Sequence, residues 1–333
     1  MKKLIYKIGT VLTSVAILCS GLGLTACGTS GEKQVVIYSN ADDEAITAMK
    51  DTLDANGYSG KYLFQTFGTS ELGGKLMTEG KNIEADLITM SSFYIDSAQE
   101  KNNMFLDLDF PHKTLEQYPS YYTPITAQEG ALILNTEMMK ENNLPTPKSI
   151  KDLANPEYKG FISVTDIEGS STAWLMLQAL ISSYGEDQTK EILKKIYENA
   201  GPHLEDSGSG PLKKVRAGEV AIGFGLRHQA IADKNNGLPI DYVDPTEGNY
   251  VLTESLALIN KDGNENPLAS EMADCIINKG RTELIKTYPM ALYEGESTDD
   301  NSVSGNTKVF AEKLTVDLLD KHKKLSNECK GAN

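Results

Sequence analysis

From residue 34 the chain alternates short apolar runs with amphipathic stretches. Val35-Val36-Ile37-Tyr38 reads as a buried strand, the polar loop Ser39-Asn40-Ala41-Asp42 follows, and Ile46, Met49 and Leu53 recur at helical spacing over residues 43–56 until Gly57 stops the helix. Residues 62–66 predict a second strand, and Gly68-Thr69-Ser70-Glu71 turns into a helix through Leu72 and Leu76. Residues 85–90 predict a third strand, with Ser91-Ser92 ahead of a helix around 94–100. The same grammar continues with strands at 130–134, 160–164, 220–224 and 255–259, and with a short helix around 145–153. A long helix through Trp174, Leu177 and Leu180 should end near Gly185, before an amphipathic helix over 187–199. A loop rich in Ser, Asp, Asn and Gly fills 295–306, and a last helix is expected over 308–324. Strand, polar loop and helix in repetition predict an α/β chain with mostly parallel strands.

The N-terminus follows another pattern. Lys2, Lys3 and Lys7 precede an apolar run over 11–24 that ends at Leu24-Thr25-Ala26-Cys27. A positive start, a short apolar run and small residues before a cut are the layout of a secretory signal over residues 1–26, and the run is too short for an ordinary membrane span. Leu24 to Cys27 resemble a bacterial lipobox. That resemblance implies cleavage before Cys27, a diacylglycerol on its sulfur, and a chain held at the extracellular face of the cell membrane. Residues 27–33 then read as a polar, lipidated tether.

Composition narrows the remainder. Losing residues 1–26 removes three lysines and no acid, which takes the formal net charge from −15 to −18. Such a balance excludes nucleic acid as a partner, because a phosphate backbone needs clustered Lys and Arg. About 300 residues exceed one comfortable core, so two lobes are expected. Cys275 and Cys329 remain as a possible disulfide or as plain core residues, and no cysteine cluster suggests a metal. With four histidines (His112, His203, His228, His322), no His-x-x-x-His pair and no nucleophile elbow, neither a catalytic set nor a cofactor is expected.

Candidate chemistry concentrates in the loops that follow predicted strands. Ser39-Asn40, Thr69-Ser70, Ser91-Ser92, Ser170-Ser171-Thr172 and Ser207-Gly208-Ser209 each lie at or near a predicted helix start. Each is either a simple N-cap or part of a ligand site, since helix N-termini offer free N–H groups to an anion.

Several further phrases follow one another along the chain: Val36-Ile37-Tyr38-Ser39, Ala85-Asp86-Leu87-Ile88, Pro147-Lys148-Ser149-Ile150-Lys151-Asp152-Leu153, Tyr158-Lys159-Gly160, Gly169-Ser170-Ser171-Thr172-Ala173-Trp174 and the run from Val215 to Gly223. In this order they are similar to the extracellular solute-binding proteins of the type 2 periplasmic-binding fold. The resemblance is to the branch of ferric-iron, 2-aminoethylphosphonate and phosphosugar binders. The resemblance implies two lobes, each a mixed, mostly parallel sheet flanked by helices, with a hinge between them. Lobe 1 would comprise 34–129 and 255–295, and lobe 2 would comprise 130–254; residues 296–333 are left unassigned. It further implies a monomer that delivers solute to an ABC transporter permease. Iron-binding members carry a tyrosine pair after the strand at 220–224, where this chain has Gly225-Leu226-Arg227-His228; Tyr121-Tyr122 lies elsewhere. An arginine there favours phosphate or carboxylate over a hard cation. The resulting expectation is a small anionic solute, an aminoalkylphosphonate or a phosphosugar. Its phosphonate would lie at Ser170-Ser171-Thr172, with Arg227 as charge partner (or Arg227 is a surface ion pair), beside His228. Asp42 or Glu254 would take an ammonium or sugar hydroxyls. The alternative is a ferric-iron or iron-chelate binder using Tyr121, Tyr122 or His228.

Overall fold

The computed structural model describes residues 33–109, 113–298 and 303–331. The signal segment and Cys27 lie outside the described residues.

The expected first units form. β1 (Val35–Ser39) is buried throughout and leads to α1 (Asp43–Leu53), which Asp42 caps by accepting the Ala45 N–H at 3.4 Å. β2 (Tyr62–Thr66) leads to α2 (Thr69–Glu79), and β3 (Leu87–Ser91) leads to α3 (Ser92–Asn102). The chain then enters β4 (Thr123–Asn135), α4 (Thr136–Glu141) and β5 (Ile162–Thr165). α5 (Thr172–Ala200) breaks at Gly185, whose φ of 75° favours glycine, so the expected division of this segment in two is a change of direction inside it. β6 (Leu204–Glu205), α6 (Gly210–Arg216), β7 (Ile222–Leu226), α7 (Arg227–Asn235), β8 (Ile240–Val243) and β9 (Asn249–Leu258) follow. α8 (Pro267–Cys275), α9 (Arg281–Thr287), β10 (Thr307–Lys308) and α10 (Val316–Cys329) complete the described chain.

The strands lie in the order β2-β1-β3-β9-β4-β7-β5-β6, with β8 on β4 and β10 on β9. β1 is parallel to β2 and β3, and β5 is parallel to β6 and β7. Between these parallel sets run the antiparallel strands β9 and β4. β4 changes partner along its length: its first part, through Glu129, pairs with β9, and from Gly130 it pairs with β7. Gly130 is needed there, because a Cβ would lie 2.5 Å from the Phe224 ring.

Side-chain alternation on β1 divides the core. Val35 and Ile37 join α1, α8 and α9, whereas Val36 and Tyr38 join the cluster that holds Leu72, Phe93 and Trp174. Cys275 and Cys329 are free and buried in different clusters, so the possible bridge between them does not form. The last helix begins eight residues later than expected. Thr315 caps it by accepting the Leu318 N–H at 3.1 Å, while Thr307-Lys308 pairs with β9. α10 is fastened to α5 by Trp174 Nε1 donating to His322 Nδ1 at 2.7 Å and by a Tyr197–Ser326 hydroxyl pair at 2.7 Å. It also reaches α2, through Lys323 Nζ donating to Ser70 Oγ at 3.2 Å.

Candidate functional site

The carboxyl ends of β1, β2, β5, β6 and β7 open onto one cleft of about 520 Å³, a volume suited to a small organic molecule. Eight of the expected site residues line it: Asn40, Asp42, Thr69, Ser170, Ser171, Thr172, Ser207 and Glu254. The structure thus brings together loops from both parallel sets of strands.

One wall is built of hydroxyls and helix starts. Ser170 Oγ donates to Thr172 Oγ1 at 3.4 Å and accepts the Thr172 N–H at 3.3 Å, and Ser207 Oγ lies 3.2 Å from Ser209 Oγ. The two loops are pressed together through glycines. A Cβ on Gly169 would stand 2.1 Å from the Asp206 carbonyl oxygen, and one on Gly208 would stand 2.3 Å from Thr172 Oγ1 and 2.8 Å from Ser170 Oγ. Opposite them α2 begins at Gly68, which has no side chain to cap it, and the Ser171 N-cap of α5 makes no side-chain capping bond either. In α5 the first-turn N–H groups are already taken, Thr172 by Ser170 Oγ, Ala173 by the Ser170 carbonyl at 3.3 Å and Trp174 by the Ser171 carbonyl at 2.9 Å, so the helix start left without a side-chain cap on the cavity is that of α2. Lys213 and Arg216 of α6 add positive charge to the lining; Arg216 is also held by Asp233 through bonds of 2.6 and 2.8 Å.

The other wall is acidic. Asp42 and Glu44 at the start of α1, and Glu254 on β9, face the cavity. Glu254 is 6% exposed and accepts from Ser91 Oγ at 2.6 Å. With the Asn40 amide turned so that its nitrogen meets acceptors, Asn40 donates to Glu254 Oε2 at 3.0 Å and accepts from Thr69 Oγ1 at 3.1 Å. Burial pushes the Glu254 carboxyl up to about 7, with the charge of Asp42 adding to the effect. Asp42 is likewise pushed up to about 7, by burial and then by Glu44.

Six expected site residues lie elsewhere. Ser39 is fully buried, where its Oγ accepts from Thr89 Oγ1 at 2.7 Å. Ser70 turns toward α10. Ser91 and Ser92 are covered by the antiparallel strand β9: Ser91 bonds Glu254, and Ser92 Oγ donates to the Thr253 carbonyl at 3.0 Å. Arg227 is buried away from the cleft, bonded to Asp244 through Nε at 2.8 Å and Nη2 at 3.2 Å, and lies over the Tyr242 ring. The proposed charge partner is thus an internal ion pair. His228 is buried against Tyr288, with ring centroids 4.4 Å apart, and burial lowers its imidazole to about 3. Sequence reasoning passed over Gln229, one turn position beyond, which is 4% exposed and lines the cleft. Its signal was its place in the helix that follows β7.

The family model for bacterial extracellular solute-binding proteins matches residues 81–302. The chain belongs to that family. It is 28% identical over 231 residues to the Fe(3+)-binding periplasmic protein of Serratia marcescens, covering 67% of this chain and 66% of that one. Over 228 residues it is 27% identical to the spermidine/putrescine-binding periplasmic protein of Escherichia coli strain K12, covering 61% and 63%. The match thus spans slightly less than two thirds of the length of each of these relatives. Among solved structures, AfuA of Actinobacillus pleuropneumoniae with exogenous fructose-6-phosphate bound superposes with a TM-score of 0.70 at 20% identity, covering 89% of this chain and 97% of that one. The α/β fold is accordingly that of the periplasmic binding proteins, as the ordered phrases in the sequence implied.

Proposed function

We propose that the protein is the lipid-anchored substrate-binding component of an ABC importer, a carrier rather than a catalyst, which captures a small organophosphorus or similar anion. The solute would lie between a lobe of residues 34–129 with 255–295 and a lobe of 130–254, with its phosphonate or phosphate group on the hydroxyl wall. The observation that carries this reading is the glycine-tight cradle of Ser170, Thr172 and Gly208 at the start of α5, facing the uncapped start of α2. Backbone N–H groups and hydroxyls aimed at one place stabilise an anion without a dedicated arginine. The fructose-6-phosphate bound in AfuA, a protein of the same fold, supports this class of ligand. Tyr121, Tyr122 and His228, which would carry an iron reading, do not line the cleft; Tyr121 instead donates to Asp96 at 2.6 Å.

The test is calorimetric titration with 2-aminoethylphosphonate and glucose 6-phosphate on the wild type and on Gly208→Ala. A Cβ at Gly208 displaces the Thr172 and Ser170 hydroxyls, so at least one of the two solutes should bind the wild type and should bind the variant tenfold or more weakly. Unchanged affinity in a variant that melts normally removes the cradle from the site. Failure of both solutes to bind the wild type removes the reading.

A further inference from the structure

Among the described residues, Lys213 and Arg216 are the only cations that line the cleft, and both come from α6. Their spacing of three positions puts them on one face of the helix. Lys214, between them, is absent from the lining and pairs instead with Glu219 at 2.5 Å. The helix thus turns two of its cations to the cavity and a third away from it.

The two cavity cations are not equivalent. Arg216 is clamped by the buried Asp233 through Nε and Nη2, so its charge is offset within the protein. What it offers the cavity is its remaining nitrogen, Nη1, as a donor. Lys213 has no such partner. Among the described residues no carboxylate pairs with it, and Asp206, the acid on the same wall, makes no bond to it. Its ammonium is therefore the one positive charge in the lining that no ion pair offsets. Its place is also fixed: the Lys213 N–H donates to the Ser209 carbonyl at 3.1 Å, which sets it one turn of α6 beyond the Ser207-Gly208-Ser209 loop. The acids Asp42, Glu44 and Glu254 belong to the opposite wall. Hydroxyl and N–H donors hold a monoanion and a dianion with the same bonds, whereas an ammonium adds an attraction that grows with the charge of the anion.

We propose that Lys213 sets the charge specificity of the cleft, so that the head group it selects is a dianion, a phosphonate or phosphate monoester, over a monoanionic sulfonate or sulfate ester of the same shape. Arg216 stands beside it as a donor, with Asp233 as its positioning residue. This rests on the anion reading given above and assigns the residue that decides which anions are accepted.

The experiment compares two pairs of twins by calorimetric titration at pH 8: 2-aminoethylphosphonate with 2-aminoethanesulfonate, and glucose 6-phosphate with glucose 6-sulfate. At that pH the phosphorus group carries close to two charges and the sulfur group one. At least one phosphorus solute should bind the wild type about tenfold or more tightly than its sulfur twin, the worth of one charge-assisted bond. Lys213→Met should erase most of that preference by weakening the phosphorus solute, and Lys213→Arg should retain it. Lys214→Met makes the same change in net charge outside the cleft and should leave the preference as it is. Lys213 is exposed, so its variants should melt at the wild-type temperature. Equal binding of the twins, a preference that survives Lys213→Met, or one that Lys214→Met erodes as much, overturns the role of Lys213 and leaves the anion reading standing. If neither phosphorus solute binds the wild type, both fall.

Discussion

Glu254 stands where β9 meets both β3 and β4, opposite Ser91 on one side and Thr126 on the other. Burial there raises its carboxyl to about 7, whereas an unfolded glutamate loses its proton near 4.3. Between those values the folded chain holds a proton that the unfolded chain has released. Stability conferred by this group is therefore present at low pH and is lost as pH rises through the window up to about 7. Asp42 acts with the same sign. His228 acts with the opposite sign: held down to about 3, it stays neutral in the fold while the unfolded imidazole takes a proton below about 6.5, so its contribution is lost on acidification. The wild-type profile mixes all three, and a difference between proteins separates them. Glu254→Gln should gain stability over the wild type as pH rises from 5 to 8, by on the order of 2 kcal/mol, in urea titrations at each pH. A difference that does not vary with pH would show that Glu254 titrates as an ordinary glutamate.

At the scale of elements, Arg227 belongs to the place where β4 changes partner. Asp244, which holds it, also accepts from Asn249 Nδ2 at 2.8 Å, and Asn249 donates to the Gly130 carbonyl at 2.9 Å. Ser304 closes the group by donating its N–H to Glu129 at 3.1 Å and its hydroxyl to Asn249 at 2.7 Å. Arg227→Ala should therefore destabilise the fold by on the order of 3 kcal/mol, because it leaves a carboxylate inside the network without its cation. Once corrected for stability, solute affinity should change less than twofold. A large affinity loss with an unchanged melting temperature would return Arg227 to the ligand. Strand-then-loop alternation made the cleft's loops legible, because ligand loops follow the carboxyl ends of strands. It did not show which side of each loop faces inward. Arg227 and Gln229 are two helical positions apart, about 200° around the axis, so one turns to the Asp244–Asn249 network and the other to the cavity. Ser91 and Ser92 were misplaced for a different reason: β9, more than 150 residues later, pairs over them, and no local pattern carries that contact.

For the whole molecule, the proposed role at an importer requires a hold on the membrane. No described helix is long and apolar enough to cross a bilayer. Under the lipid anchor proposed above, attachment would fall to Leu24-Thr25-Ala26-Cys27, where one diacylglycerol would supply the buried CH₂ groups that hold the domain at the surface. The thiols that follow Cys27 are poor candidates for acylation: Cys275 and Cys329 are both buried, and burial raises each of them. Cells fed labelled palmitate should incorporate label into the wild-type protein and none into Cys27→Ser. The wild type should partition into detergent and the variant into the aqueous phase. Cys27 lies before the first strand, so the variant's domain should melt at the wild-type temperature and bind the same solute. Label retained in Cys27→Ser would place the lipid elsewhere. Loss of label with continued membrane association would mean that contacts of the folded domain, and not an acyl anchor, hold the protein at the surface.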